Sequence, residues 1–509
     1  MNTLDKIIKN SMSNTAAFAV EAITAFLLMP FVILNLGDSA YGIWVLINAL
    51  TGYLGLFKLG FRPSINKHVA EYEAKGDFEG MREYMSATLH IYLYIAVAII
   101  CTSVLVSYFL PGLFLDNNEY LLIFQILILF AGVQSVFSLM GTAYGGVISG
   151  YQRYEINAGI EIVVILVRAL LIFILLPYFK DLYTVAIAHF TITILGFIAT
   201  IYYGRKISPI KKLSVFKKPG KEILKLIIKY NSISFIIAAL AIFMSYMDSV
   251  IVGLILPLSV ITHYVVGVRL VKYATMFLSV TTKVIAPAIS ELNAKNNHEM
   301  LLKVLHSTYK VSCIVVFPML AYLVVLGDDF IALWVGDGYE DSYRVMVIFA
   351  FASIFIAPTE ALGSFLYGLG NHVYLMYINI LEAIIIIPAC YIAGVHYGIV
   401  GIAAGIAVPR AIFRGVILPL MISNKMKIKL LGKFIRSQLI VLLGSVPFIV
   451  YLLFSDRTIG DIDSWIKFIL HLSLGMCLYL ISIYFITLSQ QEKEVSNNIL
   501  GRLLPRVFP

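Results

Sequence analysis

Charge is scarce in this chain. Only 13% of its 509 residues are Asp, Glu, Lys or Arg, against 60% hydrophobic, a balance that one soluble core cannot absorb. Cysteine is scarcer still. Cys101, Cys313, Cys390 and Cys477 stand singly within apolar runs, at no metal or redox spacing, so they give no disulfide framework and read as small core residues. There is no His cluster, no Ser-His-Asp set and no phosphate-binding glycine loop, so no enzyme chemistry and no cofactor or metal is expected. Asp461-Ile462-Asp463 imitates the acid pair of sugar transferases but sits in a short connector. A cleavable leader is lacking too: Lys6 and Lys9 precede an apolar run that continues through Pro30 to Leu36 without a small-residue cleavage site.

What fills the chain instead is long apolar runs. A helix needs about 20 apolar residues to cross the hydrocarbon of a bilayer. Fourteen such runs can be read, at roughly 12–35, 40–65, 88–110, 120–145, 156–177, 182–203, 231–256, 258–284, 308–327, 345–368, 373–394, 398–422, 436–454 and 465–487. They are continuously apolar and too long for the alternating strands of an outer-membrane barrel. The expected fold is an all-α integral membrane protein with fourteen transmembrane helices.

Basic residues set the expected orientation. They gather at the N-terminus, the C-terminus and the even-numbered loops, so both termini are expected on the cytoplasmic side. The loop from Gly204 to Tyr230 carries Arg205, Lys206, Lys211, Lys212, Lys217, Lys218, Lys221, Lys225 and Lys229 against the single acid Glu222, while Asp328, Asp329, Asp337, Glu340 and Asp341 follow the ninth span. The net charge of +9 is therefore a topology signal, with anionic lipid of the bilayer and not nucleic acid as its counterpart.

The sequence also repeats itself. Glu71-x-x-Ala74-Lys75-x-x-x-Glu79 recurs as Glu291-x-x-Ala294-Lys295-x-x-x-Glu299, Asn14-x-x-x-Phe18 as Asn231-x-x-x-Phe235, and Gly145-x-x-x-x-Gly150 as Gly363-x-x-x-x-Gly368. Six spans make one unit. Because six is even, the two copies enter the membrane from the same side and are expected to be related by a pseudo-two-fold axis along the membrane normal. Residues 1–225 form the expected N-terminal lobe, 226–435 the C-terminal lobe, and 436–509 an appendage of two further helices and a cytoplasmic tail.

With those at span margins assigned to the adjacent loops, twelve ionisable side chains fall within the spans: Lys58, Arg62, Arg168, Arg269, Lys272, Arg410 and Arg414 against Glu21, Glu161, Asp248, Glu360 and Glu382. At about 2.5–3.5 kcal/mol each near a helix centre, exposing them all to lipid would cost on the order of 30 kcal/mol. Most must face a wet cavity or one another. In the second span Trp44, Asn48, Thr51, Gly55, Lys58 and Arg62 alternate by four and three, one stripe on a helical face. Arg269 and Lys272 lie one turn apart at mid-depth and repel one another unless an anion shares the site. Arg62 and Arg414 lie toward the cytoplasmic ends, where snorkelling is an equal reading, and Glu161 with Arg168 reads equally as a structural ion pair. Asp248 has the alternative of bonding nearby backbone. Glu21 lies on the span of Pro30 and Glu360 follows Pro358, beside expected helix deformations. The acids Glu21, Glu161, Asp248, Glu360 and Glu382 are the ion-coupling candidates. The cations, Arg414 excepted, join Trp44, Asn48, Tyr264 and Tyr273 as substrate-binding candidates, the aromatics also reading as ordinary packing.

These residues resemble the polysaccharide transport family of the multidrug, oligosaccharidyl-lipid and polysaccharide exporter superfamily, and within it the O-antigen and related repeat-unit flippases. The resemblance rests on Leu36-Gly37-x-x-x-Tyr41-Gly42-Ile43-Trp44, on Leu59-Gly60-Phe61, on Asp248 with Ile251 and Gly253 before Tyr264, and on Gly150-Tyr151-Gln152-Arg153. Ser249 departs from it, where relatives often carry a basic residue after the Asp. The resemblance implies a flippase of the bacterial inner membrane that moves an undecaprenyl diphosphate-linked oligosaccharide to the periplasmic leaflet by alternating access. It also implies coupling to a proton or sodium gradient and work alongside polysaccharide assembly proteins. A lipid II-type flippase is the near alternative. A drug or organic-cation antiporter predicts an acid-dominated cavity, and a polytopic glycosyltransferase, polymerase or ligase predicts a sizeable external loop with catalytic acids; the first external loop here runs only from Gly37 to Ala40.

Overall fold

The computed structural model describes residues 3–58, 61–115, 120–210, 213, 220–283, 285–371, 373–426, 430–459, 462–494 and 497. Leu59, Gly60, Asp461 and the loop residues Lys211, Lys212, Lys217 and Lys218 lie outside them, as do the side chains of Lys221, Glu222, Lys225, Lys229, Asn231 and Phe235. The described residues form helices and no strand: α1 (Thr3–Leu36), α2 (Asp38–Gly52), α3 (Phe61–Lys75), α4 (Phe78–Phe109), α5 (Pro111–Phe114), α6 (Leu121–Gly150), α7 (Tyr154–Phe179), α8 (Leu182–Ile207) and α9 (Lys221–Ile255). They continue with α10 (Leu258–Lys283), α11 (Ile285–Ala294), α12 (His298–Val335), α13 (Glu340–Ile356), α14 (Glu360–Gly368), α15 (Val373–Ile412), α16 (Leu418–Met426), α17 (Leu430–Ile459) and α18 (Trp465–Ser482).

Twelve described helical stretches are long and apolar enough to cross a membrane. One of them, Val373–Asn424, has 52 residues; at about 1.5 Å per residue that is more than twice the hydrocarbon thickness. Gly398 breaks it with φ 59° and ψ −141°, a conformation only glycine adopts without strain, so the stretch makes two passes. The 26 residues of α10 add another helix of spanning length, carrying Arg269 and Lys272. The architecture accords with the fourteen crossings expected. Within these helices the cysteines divide: Cys313 and Cys390 are buried, as expected, but Cys101 and Cys477 are exposed on the helix surface, where a small apolar side chain suits lipid equally well.

The packing separates the chain into two compact units, Met1–Thr262 and His263–Pro509. In the first, α1 packs on α7, α6 on α3, α4 and α8, and α9 on α2. The fit of α3 on α6 depends on small residues. A Cβ at Gly146 would come within 2.7 Å of Ile65 and one at Gly150 within 2.6 Å of Val69, so glycine allows the two backbones to approach as lipid-embedded helices must. In the second unit α12 packs on α13 and α17. The last helix, α18, is tied to α12 by tyrosines: the Tyr322 hydroxyl donates to Leu472 O at 2.8 Å and the Tyr479 hydroxyl to Ile314 O at 2.6 Å.

The sequence repeat has a physical basis. After Lys75 the chain turns through Gly76 at φ 70°, and after Lys295 through Asn296 at φ 53°. In both copies the next residue closes a six-residue ring, with Asp77 N donating to Tyr72 O and Asn297 N to Leu292 O, each at 3.0 Å. The same side chains then cap the following helix, Asp77 accepting from Gly80 N at 2.8 Å and Asn297 from Met300 N at 3.1 Å. The glycine repeat behaves alike. Gln152 (φ 56°) follows Gly150 and Gly370 (φ 69°) follows Gly368, with Arg153 N donating to Ile148 O at 3.0 Å and Asn371 N to Leu366 O at 2.8 Å.

Candidate functional site

The stripe expected along one face of the second span is only partly a helical face. α2 ends at Gly52 and the chain continues as a 3-10 turn over Tyr53–Lys58 before α3 begins at Phe61. A 3-10 turn has about three residues per turn, so the alternation of four and three loses register there. Trp44, Asn48 and Thr51 remain together and line a cavity of about 100 Å³ with Gln134, Ser135 and His189. The Trp44 and His189 rings meet edge to face at 5.4 Å, Asn48 Nδ2 donates to Trp44 O at 2.6 Å, and Gln134 Nε2 donates to Thr193 Oγ1 at 3.0 Å. Amides, an imidazole and an indole thus share one small polar space inside the first unit.

Around it stand the charges. Glu161 on α7 is within electrostatic reach of Glu21 on α1 and Arg62 on α3. Arg168, half-buried on α7, senses Glu21, and His189 on α8 senses Arg168. The structure brings Glu21, Arg62, Glu161, Arg168 and His189 to one region of the unit. Arg62 is exposed, with its Nη2 about 4.0 Å from where a Cβ on Gly145 would lie, so Gly145 leaves room beside the guanidinium. No ion pair joins Glu161 to Arg168 among the described residues; the cation whose field Glu161 feels, Arg62, comes from α3. Lys58, half-buried at the end of the 3-10 turn, makes no hydrogen bond or ion pair among the described residues.

Asp248 is 4% exposed on α9. It does not bond the nearby backbone as the sequence allowed: its Oδ1 is buried without a hydrogen-bond partner among the described residues. Tyr53 lies in its field. An unsatisfied carboxylate oxygen inside a bundle is costly, so Asp248 marks a position held for something other than packing.

The second unit arranges its charges differently. Glu382 on α15 is completely buried and accepts two hydrogen bonds from Arg414, from Nε at 2.9 Å and Nη2 at 3.1 Å. Arg414 Nη2 also donates to Asn379 Oδ1 at 2.7 Å. Arg414 therefore does not snorkel; it is turned inward from a π-turn over Phe413–Ile417, where one extra residue re-aims the side chains that follow. A cavity of about 280 Å³ opens beside it, lined by Thr282, Thr359, Glu360, Ser364 and Tyr367 as well as by Arg414. Gly363 lines it too, so each of the two matched glycines of the repeat, Gly145 and Gly363, stands beside an arginine.

The other residues singled out from the sequence are more dispersed. Arg269 is half-buried and Lys272 exposed, one turn apart on α10. Tyr273 is half-buried, while Tyr264 is 1% exposed with its ring edge-on to Phe349 at 6.1 Å; in this conformation it is a packing residue and offers no surface to a sugar. Arg410 is half-buried at the end of α15. Of the acids in the last connector, Asp463 is exposed and accepts from Lys467 Nζ at 2.8 Å, and that bond holds its carboxyl below the usual range. No group of three or more metal-ligating side chains occurs among the described residues.

Sequence reasoning missed His189, Asn379 and Arg414 as site residues. A lone histidine within an apolar span was the available signal for the first. Arg414 was visible as a buried charge, but its partners Asn379 and Glu382 lie 35 and 32 residues away and nothing periodic links them.

With this geometry in hand, the chain can be set beside known proteins. Similarity extends over 94% of the chain to a protein of Haloferax volcanii described as a probable low-salt glycan biosynthesis flippase, Agl15, at 23% identity and with 95% of that protein covered. Among solved structures, the lipid II flippase MurJ in an inward closed conformation superposes with a TM-score of 0.74 over 94% of this chain and 98% of that one, at 14% identity. A multidrug transporter of the MATE family, inward-facing, gives 0.62 over 81% of this chain and 95% of its own, at 16% identity. The fold is thus shared with these transporters. The family model described as "Polysaccharide biosynthesis protein" matches residues 7–293, more than half of the sequence, and the chain belongs to that family of multi-pass membrane proteins.

Proposed function

We propose that the protein is a flippase that carries an undecaprenyl diphosphate-linked oligosaccharide repeat unit across the bacterial cytoplasmic membrane by alternating access, its termini on the cytoplasmic side. The observation that carries this reading is the polar interior of the first unit. Arg62, Arg168 and Lys58 offer guanidinium forks and an ammonium to diphosphate oxygens, while Asn48, Gln134, His189 and the face of Trp44 offer what sugar hydroxyls and ring faces require. In the second unit, Arg269 and Lys272 on α10 are further candidate cations for the diphosphate. Family membership and the name borne by the haloarchaeal relative support glycan transport over drug export, and the excess of cations over acids within the spans suits an anionic headgroup. At least one membrane acid, with Glu21 and Glu360 favoured, couples a proton or sodium gradient to the movement, because a bound ion shifts a conformational equilibrium only through different affinity for its two states.

The test is transport in vesicles reconstituted with the purified protein and a defined lipid-linked oligosaccharide, read as protection of the sugar from an external glycosidase. The Arg269→Ala, Lys272→Ala double variant is expected to insert normally and to lose transport by about ten- to a hundredfold, the loss of one charge-assisted contact being worth about 1.5–3 kcal/mol. Undiminished transport would make that pair structural. Sugar transfer to an acceptor by the purified protein would replace the flippase reading with an enzymatic one.

A further inference from the structure

On the surface of the first unit, α7 and α8 enclose a groove of about 450 Å³. It runs from Glu155 to Val167 on α7 and from Tyr203 to Ile192 on α8, about 18 Å along the helices at 1.5 Å per residue. A single leaflet of hydrocarbon is about 15 Å deep, so the groove spans one leaflet. Its walls are apolar and face outward, with Val163 59% and Leu195 54% exposed. Gly159 forms a notch in the floor, and a Cβ placed there would meet nothing within 4 Å.

One end of the groove is chemically different. Arg153 precedes α7 and Arg205 and Lys206 close α8, all exposed, at the level of Tyr203 and Glu155. Glu155 is already bonded to Arg153 Nε at 2.6 Å, so the acid is compensated and the remaining guanidinium and ammonium charge is left for an anion. The bounding residues Ile156, Ile160, Val163 and Val167 are β-branched and recur turn by turn. An isoprenoid carries a methyl branch at each unit, a repeat close to the helical rise of about 5.4 Å per turn, and interdigitates with such a wall better than an unbranched acyl chain. The same α7 bears Glu161 and Arg168 of the polar region, so the groove and the candidate headgroup site share one helix.

From this we propose that the α7–α8 groove holds the isoprenoid tail of the lipid carrier, its phosphate end at Arg153, Arg205 and Lys206. The inference rests on the flippase reading and adds a tail site to it. The groove serves as a docking rail: the carrier is caught in one leaflet before its headgroup enters the polar interior.

The experiment uses the full-length protein in phosphatidylcholine nanodiscs with a sugar-free polyprenyl diphosphate bearing a diazirine in its second or third isoprene unit. Photolysis is expected to label peptides of α7 and α8, and excess unlabelled polyprenyl diphosphate to abolish the labelling while equal dioleoyl phosphatidylglycerol leaves it. Gly159→Leu, whose Cβ would meet nothing within 4 Å, is expected to reduce labelling at least fivefold at unchanged thermal stability. Val163→Trp is a second filler at an exposed position and should act alike. Labelling that falls elsewhere, that both fillers leave intact, or that phosphatidylglycerol competes away equally overturns the proposal. Transport by the wild-type protein, measured separately, tells the two readings apart: transport without groove labelling removes the groove alone, whereas groove labelling without transport keeps the polyprenyl site and removes the flippase.

Discussion

The two units hold their membrane charges in opposite ways. In the second, Arg414, Glu382 and Asn379 form a closed set of short hydrogen bonds around a carboxylate with no exposure. In the first, Glu21, Arg62, Glu161, Arg168 and His189 share a region and feel one another's fields, yet no ion pair closes between them among the described residues. A closed set fixes helices; an open set answers to whatever enters. On the proposed flippase reading, α15 and the π-turn after it move as one body, while the interior of the first unit changes its charge pairing with the ligand.

The strongest way to break this comparison is at Arg414. Arg414→Ala leaves the Glu382 carboxylate buried and uncompensated, which is expected to destabilise the protein by about 3–5 kcal/mol, seen as a large fall in detergent unfolding temperature. The double variant Arg414→Met, Glu382→Met should recover most of that loss. A mild effect of Arg414→Ala would mean the pair is as open as its counterparts in the first unit.

Next comes Arg168, from the open set. Arg168→Ala is expected to cut transport about ten- to a hundredfold, as for loss of a charge-assisted contact worth about 1.5–3 kcal/mol, while unfolding shifts by less than about 1 kcal/mol. A stability loss as large as that of Arg414→Ala would place Arg168 in the structural class.

Glu21 and Glu360 refine the comparison, since one belongs to each unit. Glu21→Gln and Glu360→Gln are expected to keep substrate binding within a few-fold and to lose the response of transport to an imposed proton or sodium gradient. If both variants respond as the wild type does, coupling lies in another group, and Asp248 with its unpaired oxygen is the next to change.

The smallest effect concerns a closed pair at the edge of a span, between Lys310 and Glu492. Burial disfavours the ionised Glu492, but hydrogen bonds from Lys310 at 2.7 Å and from the N–H and hydroxyl of Ser489 outweigh it and hold the carboxyl below its ordinary 4.5. A depressed carboxylate stabilises fully above its unfolded pKa and loses that contribution as pH falls through the folded one. Glu492→Gln should therefore lower stability at pH 7 by no more than about 1 kcal/mol, the group being partly exposed, and should flatten the stability loss as pH falls below the ordinary carboxylate value of 4.5. Acid sensitivity unchanged by the substitution would place it elsewhere.

Much of the fold could be read from the chain because lipid imposes a blunt rule: about 20 apolar residues per crossing. The runs and the repeat follow from composition and short-range spacing. The interruption at Tyr53–Lys58 could not be read, because the alternation of Trp44, Asn48, Thr51, Gly55, Lys58 and Arg62 satisfies a continuous helix while Gly52 sits against the Tyr246 ring of another helix. The site divides the same way. Buried charges announce themselves by cost, so Arg168, Glu382 and Arg414 stood out; which of them close into pairs depends on contacts across more than thirty residues. His189 carried no periodic signal, and Tyr264 shows the converse, an aromatic suited to sugars that the structure uses as filling.

The matched turns after Lys75 and Lys295 have a consequence for how the chain is made. Each is built from bonds reaching no further than five residues, Asp77 N to Tyr72 O and Asn297 N to Leu292 O, and contacts so local form in about a microsecond, without help from distant sequence. A nascent chain emerging at about 5–20 residues per second therefore sets each turn long before the next apolar run has been synthesised. The two turns act as punctuation, dividing the growing polypeptide at the same point in each copy, and the order of insertion is written into the backbone before any helix has met its final neighbour.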